Sequence, residues 1–305
     1  MDDAKAPSRS YPFATVDVFT EQRFGGNPLA VVTDARGISD TEMQALAAEF
    51  NYSETTFVLP PDNPANTAKV RIFNRTYEMP FAGHPNVGTG YVLASQGTGQ
   101  GMGDVMRFEE LAGVVEVRID RDPAGSAVGA TIAAPQALSL GPELPIAGIA
   151  ACVGLEPAEI VVRAHPPRAA SVGVSFVVVE VAAAALARAT PSLDAFNRQL
   201  AAAPDLQGRL SIHLYAHDGE GRLRARMFAP RSGTIEDPAT GSANAALAAL
   251  LLSLGTAASQ SFDIVQGVEM GRPSLLHAAA HRANDGIRAT VRGRCVPVLR
   301  GEVVL

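Results

Sequence analysis

The chain has 305 residues, which is long enough for two domains of about 150 residues each. Hydrophobic residues make up 47% of it and charged residues 18%, so a large core is expected and extended disorder is excluded. The net charge of −6 argues against nucleic acid as a partner, because phosphate binding requires a basic surface.

The first part of the chain predicts short strands and two helices. Apolar runs that alternate or are β-branched, bounded by Gly, Pro and Asn turns, are typical of strands. A helix is expected over residues 39–51, with Ser39 or Asp40 as its N-terminal cap, and a second over 84–95. The predicted strands cover residues 14–19, 29–32, 54–59, 68–73, 104–109, 113–119 and 127–133.

The second part resumes this pattern after a predicted linker over residues 135–145. Helices are expected over 146–154, 193–202 and 242–254. The predicted strands cover residues 172–181, 211–216, 223–228, 261–266, 274–281, 286–293 and 296–304. Short turns between many of these strands favour antiparallel pairing.

Two of the predicted helices, at 84–95 and 242–254, are apolar nearly all round, which is typical of a buried helix. We therefore predict an α+β fold of two pseudo-symmetric domains, each a curved, mostly antiparallel sheet around a central apolar helix. The predicted N-terminal domain covers residues 11–135 and the C-terminal domain covers 136–295. For a strand at 296–305 both alternatives stay open: it belongs to the second domain, or it returns to the first.

The stretches that lead into these two helices repeat each other, with an offset of 158 residues. The shared positions are Glu78, Pro80, Gly83 and Asn86 in the first copy, and Glu236, Pro238, Gly241 and Asn244 in the second. An Arg-x-Phe strand end precedes each copy, at residues 71–73 and 226–228. The repeat predicts two similar domains that face each other, with a site between them. The helix N-termini should present unpaired N–H groups there, which suit a carboxylate or an oxyanion.

Three ionisable residues are candidates for chemistry near these loops. Glu54 begins an apolar strand, where desolvation raises the pKa of a carboxyl toward neutrality, as a proton shuttle requires. His84 and Asp237 lie in the two repeated loops. Structural alternatives stay open for all three residues: Glu54 as a surface loop residue, His84 as a buried structural histidine, and Asp237 as a helix cap.

Features that indicate the compartment are few. Two cysteines, Cys152 and Cys295, provide no disulfide framework, so a reducing compartment is expected. The N-terminus lacks a basic region followed by an apolar core, which predicts no signal peptide. The longest apolar run, 245–252, is shorter than the roughly 20 residues that cross a bilayer. We expect a cytoplasmic protein without a membrane partner.

The sequence predicts neither a metal nor an organic cofactor. Two histidine pairs have a spacing of four on predicted strands, at 213 and 217 and at 277 and 281, but no Glu or Cys completes a ligand set. The glycine-rich stretch at 97–103 follows a helix instead of opening one after a strand, which disfavours dinucleotide binding.

Five motifs, in order along the chain, resemble the phenazine biosynthesis PhzF family. They are Phe-Gly-Gly-Asn-Pro at 24–28, Ser-Glu-Thr-Thr-Phe at 53–57, Pro-Phe-Ala-Gly-His-Pro at 80–85, Glu-Asp-Pro-Ala-Thr-Gly-Ser-Ala at 236–243 and Gln-Gly-Val-Glu-Met-Gly-Arg-Pro at 266–273. The resemblance covers nearly the whole chain. It implies the diaminopimelate-epimerase-like fold, with the active site in the cleft between two domains, and a homodimer.

The resemblance also implies roles for individual residues. Glu54 matches the general acid/base that moves a proton between carbons of a cyclic substrate, without a metal or an organic cofactor. His84 and Asp237 match residues that bind the substrate and assist the transfer. The residues implied to hold the substrate carboxylate are Gly83, Gly241 and Ser242.

The sequence is compatible with three functions. The first is a cofactor-independent isomerase that acts by proton transfer on a small, cyclic carboxylate. The second is an epimerase or racemase of amino or hydroxy acids; a two-thiol racemase needs a thiolate on each face of the carbon acid, and Cys152 and Cys295 lie far from both loops in sequence. The third is a non-catalytic small-molecule-binding protein with the same fold.

Overall fold

The structure is a computed structural model that describes residues 8–97, 103–219 and 221–305. Most of the glycine-rich stretch at 97–103 lies outside these described residues. Within the described ranges, none of the helices has the length and apolar character needed to cross a membrane.

The first half of the chain forms strands and two helices close to their predicted positions. Its helices are α1 (Asp40–Phe50) and α2 (Gly83–Ser95). Ser39 caps α1, because its Oγ accepts from the Glu42 N–H while the Glu42 carboxylate accepts from the Ser39 N–H. The strands are β1 (Ser10–Val18), β2 (Asn27–Val32), β3 (Glu54–Leu59), β4 (Ala68–Phe73), β5 (Glu78–Met79), β6 (Val105–Glu110), β7 (Gly113–Arg121) and β8 (Ala127–Ala133).

The second half contains more helix. The helices are α3 (Ile146–Cys152), α4 (Ala183–Leu186), α5 (Leu193–Ala202) and α6 (Gly241–Ser253). The strands are β9 (Ser139–Glu143), β10 (Ile160–Val161), β11 (Arg168–Ser171), β12 (Ser175–Val181), β13 (Ile212–His217), β14 (Leu223–Ala229), β15 (Thr234–Asp237), β16 (Ser259–Gln266), β17 (Ser274–Ala283) and β18 (Gly286–Val304). Single 3₁₀ turns lie at Pro157–Glu159, Pro204–Leu206, Pro230–Ser232 and Val268–Met270.

A closed ring of strands surrounds α2. Its order is β1, β2, β3, β4, β6, β7, β8 and β18, and β18 pairs with β1 to close it. Two of the pairings, β2 with β3 and β4 with β6, are parallel, and the others are antiparallel. Helix α2 packs inside the ring against β1, β2, β7 and β8. It is buried over most of its length, as its apolar sequence predicts.

The second half repeats the pairing pattern of the first. There, β12 pairs parallel with β13, β13 antiparallel with β14, and β14 parallel with β16. Strands β16, β17 and β18 then pair antiparallel, as β6, β7 and β8 do. Helix α6 packs against β11, β12, β16, β17 and β18. The predicted α+β fold of two pseudo-symmetric halves, each a sheet around an apolar helix, is confirmed.

The last strand differs from its prediction. Residues 286–293 and 296–304 were expected to be two strands, but β18 runs unbroken from Gly286 to Val304. Its first part pairs with β17 and β8, and its second part pairs with β1. The strand therefore joins the two halves through hydrogen bonds. The domain boundaries at 135 and 295 stay a prediction.

The structure also differs from the prediction in its short strands. The predicted linker at 135–145 contains β9, which pairs with β11. The single strand predicted over 172–181 is wrong at its start, because Gly173 has a φ of +140° and turns the chain between β11 and β12. The two-residue strands β5 and β10 and the four-residue β15 have no pattern of their own, because a period of two needs more residues to be visible.

The apolar core of the described residues forms three clusters. The largest contains residues of both central helices, such as Val87 and Leu247. In the second, α3 and α5 pack on the outer face of β12 and β13 through Ile149 and Phe196. In the third, α1 packs on β3 through Met43. The outer helices fix the sheets from outside, so the N-termini of α2 and α6 are positioned by packing on both faces of each sheet.

Candidate active site

Each repeated loop is attached to the preceding strand by an arginine–glutamate pair. Arg71 Nε and Nη2 donate to the two carboxylate oxygens of Glu78 over 2.7 and 2.6 Å. In the other half, Arg226 makes the same two bonds to Glu236, both of 2.8 Å. These paired bonds have the geometry in which arginine binds carboxylate most strongly. The repeated Arg and Glu residues are therefore the supports of the two loops.

The two loops face each other, as predicted, and the N-termini of α2 and α6 meet at their glycines. A Cβ added to Gly83 would lie 3.4 Å from the Ser242 nitrogen and 3.5 Å from Gly241 Cα. Neither Ala82 nor Thr240, the residues before the helices, makes a side-chain hydrogen bond to cap them. The first N–H groups of both helices thus lie together without a side-chain cap, which is the arrangement that attracts an anion.

Glu54 is the first residue of β3, and its side chain is 16% exposed. Its Oε2 lies 3.4 Å from His84 Nδ1. Burial raises the pKa of Glu54 well above the ordinary range of a carboxyl, and the negative charge of Asp237 raises it further. The positive charge of the Arg75 guanidinium lowers the pKa of Glu54. The surface-loop alternative for Glu54 is wrong, because this carboxyl is largely withdrawn from water.

His84 is the second residue of α2 and is buried. Burial lowers the pKa of His84 to about 3, although a hydrogen bond with the Pro28 backbone opposes this effect. The imidazole is therefore neutral over the physiological pH range. Asn27 Nδ2 lies 3.3 Å from His84 Nδ1, on the side that also faces Glu54.

Asp237 ends β15 and is also buried. Its Oδ1 accepts from Asn27 Nδ2 over 2.9 Å and from Ser53 Oγ over 3.2 Å, and its Oδ2 accepts from Thr240 Oγ1 over 2.6 Å. Burial raises the pKa of Asp237, while these three bonds lower it. Asp237 therefore joins the second half of the chain to Asn27 and Ser53 of the first.

An apolar pocket lies beside the helix N-termini. Gly83, Gly241 and Ser242 line it, together with the aliphatic or aromatic residues Phe81, Ile132, Ala134, Pro135, Val172, Val174, Ala245 and Val291. Its described lining contains neither Glu54, His84 nor Asp237. The two helix N-termini thus stand between the apolar pocket and the ionisable residues.

A family model described as "phenazine biosynthesis-like protein" matches residues 16–301 of the chain. The chain belongs to this family. The predicted family is therefore confirmed over nearly the whole sequence.

Proteins with similar sequences carry isomerase names. The chain is 41% identical over 298 residues to an uncharacterized isomerase of Mesorhizobium japonicum, covering 95% of this chain and 97% of that protein. It is 36% identical over 299 residues to the trans-2,3-dihydro-3-hydroxyanthranilate isomerase of Pseudomonas chlororaphis, covering 96% and 99%. The crystal structure of a PhzF-family protein of Bacillus anthracis matches with a TM-score of 0.86 and 25% identity, over 97% of this chain and all of that one. The chain therefore belongs to a family of isomerases, as predicted.

Sequence reasoning missed several polar residues of this phenazine biosynthesis-like site. The sequence predicts no role for Asn27, Ser53 or Thr240. Asn27 Nδ2 also donates to the Ala239 carbonyl over 3.0 Å, so this residue connects the two loops. A signal was present, because Asn27 and Ser53 lie in two of the five family motifs.

Two residues of the histidine pairs, His213 and His277, have polar partners in the structure. Among the residues that the structure describes, no group of three or more His, Cys, Asp or Glu side chains is arranged to hold a metal ion. His213 is buried against Asn244, at 3.1 Å from Nε2 to Oδ1, and His277 pairs with Asp263 at 2.6 Å. The expected absence of metal and organic cofactors stays a prediction.

Proposed function

We propose that this protein is a cofactor-independent isomerase in which Glu54 moves a proton on a small, cyclic substrate that carries a carboxylate. The observation that carries the proposal is the position of Glu54. It is a buried carboxyl, 3.4 Å from a neutral histidine and under the influence of a second carboxyl from the opposite half of the chain.

The raised pKa of Glu54 suits a group that both removes and returns a proton. A carboxyl of ordinary pKa is a weak base and is rarely protonated near neutral pH. A pKa closer to the working pH gives both protonation states useful populations and favours proton transfer in each direction. Burial and the charge of Asp237 supply this shift.

His84 and Asp237 are assigned to substrate orientation. The amide nitrogen of Asn27 has two hydrogens, and its bonds to Asp237 Oδ1 and the Ala239 carbonyl, at 2.9 and 3.0 Å, are the shortest it makes. His84 Nδ1 is then not required as an acceptor for Asn27, and it lies 3.4 Å from Glu54 Oε2. A neutral imidazole at this place borders the Glu54 carboxylate without forming a permanent ion pair.

The substrate carboxylate is assigned to the N–H groups of Gly83, Gly241 and Ser242. Backbone donors at the two helix N-termini would stabilise negative charge that spreads from the reacting carbon into the carboxylate. The ring would then lie on the side of these N–H groups that faces Glu54, His84 and Asp237, because the proton shuttle must reach the reacting carbon.

A two-thiol racemase is not supported by either cysteine. Cys152 lies in the apolar cluster of α3 and α5, and burial raises the pKa of its thiol to about 12. Cys295 lies on β18, where burial also raises the pKa. A thiol with such a pKa provides little thiolate at neutral pH.

The proposal is tested by proton exchange in deuterated water. Small cyclic carboxylates, including trans-2,3-dihydro-3-hydroxyanthranilate, are incubated with the protein and followed by NMR for isomerisation and deuterium incorporation. Glu54→Gln should lower the rate by about 10²–10⁴ while carboxylate binding persists. Glu116→Gln, at an exposed glutamate that pairs with Arg107, is the matched control and should retain the full rate. Full turnover by Glu54→Gln would remove Glu54 from the mechanism, and binding without any exchange would favour a non-catalytic protein.

We also propose that the protein works as a homodimer. The support is the family to which the chain belongs. Light scattering that detects only monomer at assay concentrations would contradict this proposal.

A further inference from the structure

Glu110 lies at a position that mirrors that of Gln266. Glu110 ends β6 and Gln266 ends β16, and these two strands occupy equivalent places in the repeated pairing pattern. Each strand end lies close to the N-terminus of a central helix. Glu110 is next to Asn86 of α2, and Gln266 binds Asn244 of α6. Asn86 and Asn244 are themselves equivalent residues of the sequence repeat.

In the second half, Gln266 holds the loop through a saturated set of hydrogen bonds. Asn244 Nδ2 donates to Gln266 Oε1 over 2.8 Å and to the Thr240 carbonyl over 3.0 Å. Gln266 Nε2 donates to the Asp237 carbonyl over 2.8 Å. The Oδ1 of Asn244 faces His213 Nε2 at 3.1 Å. A neutral amide at the strand end thus fixes the loop that carries Asp237.

The first half has the same asparagine but lacks these partners. Asn86 Nδ2 donates to the Ala82 carbonyl over 3.0 Å, as Asn244 does to Thr240. The Oδ1 of Asn86 and both carboxyl oxygens of Glu110 are buried, and none of the three makes a hydrogen bond of normal geometry to the described residues. An ionised carboxylate at such a place loses its hydration, and the Asn86 side chain compensates only part of that loss. It also has no hydrogen to give to Asn86 Oδ1.

A protonated Glu110 removes this conflict. Its O–H can donate to Asn86 Oδ1, and its carbonyl oxygen can accept the second hydrogen of Asn86 Nδ2. The second of these bonds is equivalent to the bond from Asn244 Nδ2 to Gln266 Oε1, and the first gives Asn86 Oδ1 the partner that His213 gives Asn244 Oδ1. We propose that Glu110, as a neutral carboxylic acid, is the positioning residue that holds the loop presenting Gly83 and His84 in the candidate site. Its catalytic consequence rests on the proposed function.

The surroundings of Glu110 agree with a neutral group. Burial raises the pKa of Glu110 to about 8, although the Asn86 side chain lowers this pKa. The charged or titratable groups on β4, β7 and α2, the elements next to Glu110, have partners elsewhere or are exposed. They are Lys69 with Asp62, Arg71 with Glu78, Glu116 with Arg107, Asp120 with Arg292, Arg121 with Asp104, His84 beside Glu54, Tyr91 beside Ser95, and the exposed Arg118.

The first test measures the protonation state and does not depend on activity. The side-chain carboxyls of protein labelled with ¹³C-glutamate are titrated by NMR, and the Glu110 signal is assigned by its loss in Glu110→Gln. We expect this signal to titrate near pH 8. Titration near pH 4.5 would overturn the proposal, whatever the reaction of the enzyme.

The second test uses stability. A native pKa above that of the unfolded chain means that the Glu110 carboxyl lowers the stability of wild-type protein as the pH rises from about 4.5 to about 8, and this contribution is absent from Glu110→Gln. The melting temperature of Glu110→Gln relative to wild type should therefore increase over this range, whereas that of Glu116→Gln should not. An unchanged difference for Glu110→Gln would overturn the proposal.

The third test addresses positioning. On a substrate that is turned over, Glu110→Ala should reduce kcat, and Glu110→Gln should restore it, because glutamine forms the same pair with Asn86. Glu110→Gln should also retain activity above pH 8 where wild type declines. Loss of activity in Glu110→Gln equal to that in Glu110→Ala would show that Glu110 does not act through this pair.

Discussion

Glu54 and Asp237 come from opposite halves of the chain, and the negative charge of Asp237 raises the pKa of Glu54. Ser53, the residue before Glu54, donates a 3.2 Å hydrogen bond to Asp237 Oδ1. The protonation of Glu54 therefore depends on the approach of the two halves. A change that separates them would lower the pKa of Glu54 and weaken it as a base.

Asp237→Asn should shift the pH dependence of activity to lower pH. The base form of Glu54 is needed to remove a proton, so the rate rises with pH through the pKa of Glu54. Removing the charge of Asp237 lowers that pKa, so the rise should begin at lower pH. The measurement is kcat/KM against pH, with Asp263→Asn at an exposed aspartate as control. A profile identical to that of wild type would exclude electrostatic coupling of the two carboxyls.

Arg75→Gln should shift the same profile to higher pH. The Arg75 guanidinium lowers the pKa of Glu54. It also donates to the Gly233 carbonyl of the opposite half and to Thr234 Oγ1, the latter over 3.4 Å. The opposite signs of Arg75→Gln and Asp237→Asn separate charge effects from general damage, because a damaged site would lose rate without moving the two profiles apart.

The repeat in the sequence predicted more of the fold than the individual elements did. Glu, Pro, Gly and Asn at matching positions placed the two loops opposite each other, and the arginine–glutamate pairs give the physical reason for their recurrence. Strand pairing across the halves was not predictable from local pattern. The interior of the unbroken β18 contains Gly293, Pro297 and Gly301, which locally indicate an interruption, but pairing with β1 and β8 overrides them.

The residues of the candidate site that could be predicted from the sequence are those with ionisable side chains. Glu54, His84 and Asp237 are ionisable and stood out for that reason. Asn27 and Gln266 did not, because an amide has no chemical signal until its partners are known. Asn27 meets His84 and Asp237 only through folding, since they are separated from it by 57 and 210 residues. Long-range polar contacts of this kind are outside the reach of periodicity and spacing.

Gly83→Ala should weaken carboxylate binding while the protein remains folded. The added Cβ would lie 3.4 Å from the Ser242 nitrogen, which the protein itself can accommodate with little movement. The methyl group would nevertheless occupy space in front of N–H groups assigned to the substrate. The measurement is calorimetric binding of a small cyclic carboxylate. Gly255→Ala is the control, because a Cβ there meets no atom within 4 Å. Equal affinity in Gly83→Ala and Gly255→Ala would exclude a ligand at the helix N-termini.

Arg226→Gln should cost more stability than Arg71→Gln. The Arg226 side chain is 7% exposed, binds Glu236 and also donates to the Leu186 and Ala189 carbonyls. Arg71 is 19% exposed, and its second partner, Asp40, is on the surface. Breaking a buried ion pair by removing one partner costs about 3–5 kcal/mol, and the more exposed Arg71 should cost less. Urea denaturation measures both, and an equal loss would show that burial does not distinguish the two supports.

Glu54→Gln should stabilise the protein at neutral and alkaline pH while it lowers the rate of proton transfer. The pKa of Glu54 is raised in the folded protein above that of the unfolded chain, so wild type loses stability as the pH increases from the unfolded to the folded pKa. Each unit of this difference corresponds to about 1.4 kcal/mol. Glutamine does not titrate, so the melting temperature of Glu54→Gln relative to wild type should increase with pH across this window and be constant below it.

Glu116→Gln, which removes an exposed carboxylate, should show no such trend. If the difference between Glu54→Gln and wild type did not vary with pH, the burial of an ionisable carboxyl at position 54 would not be destabilising, and the physical basis for its role as a proton shuttle would be lost.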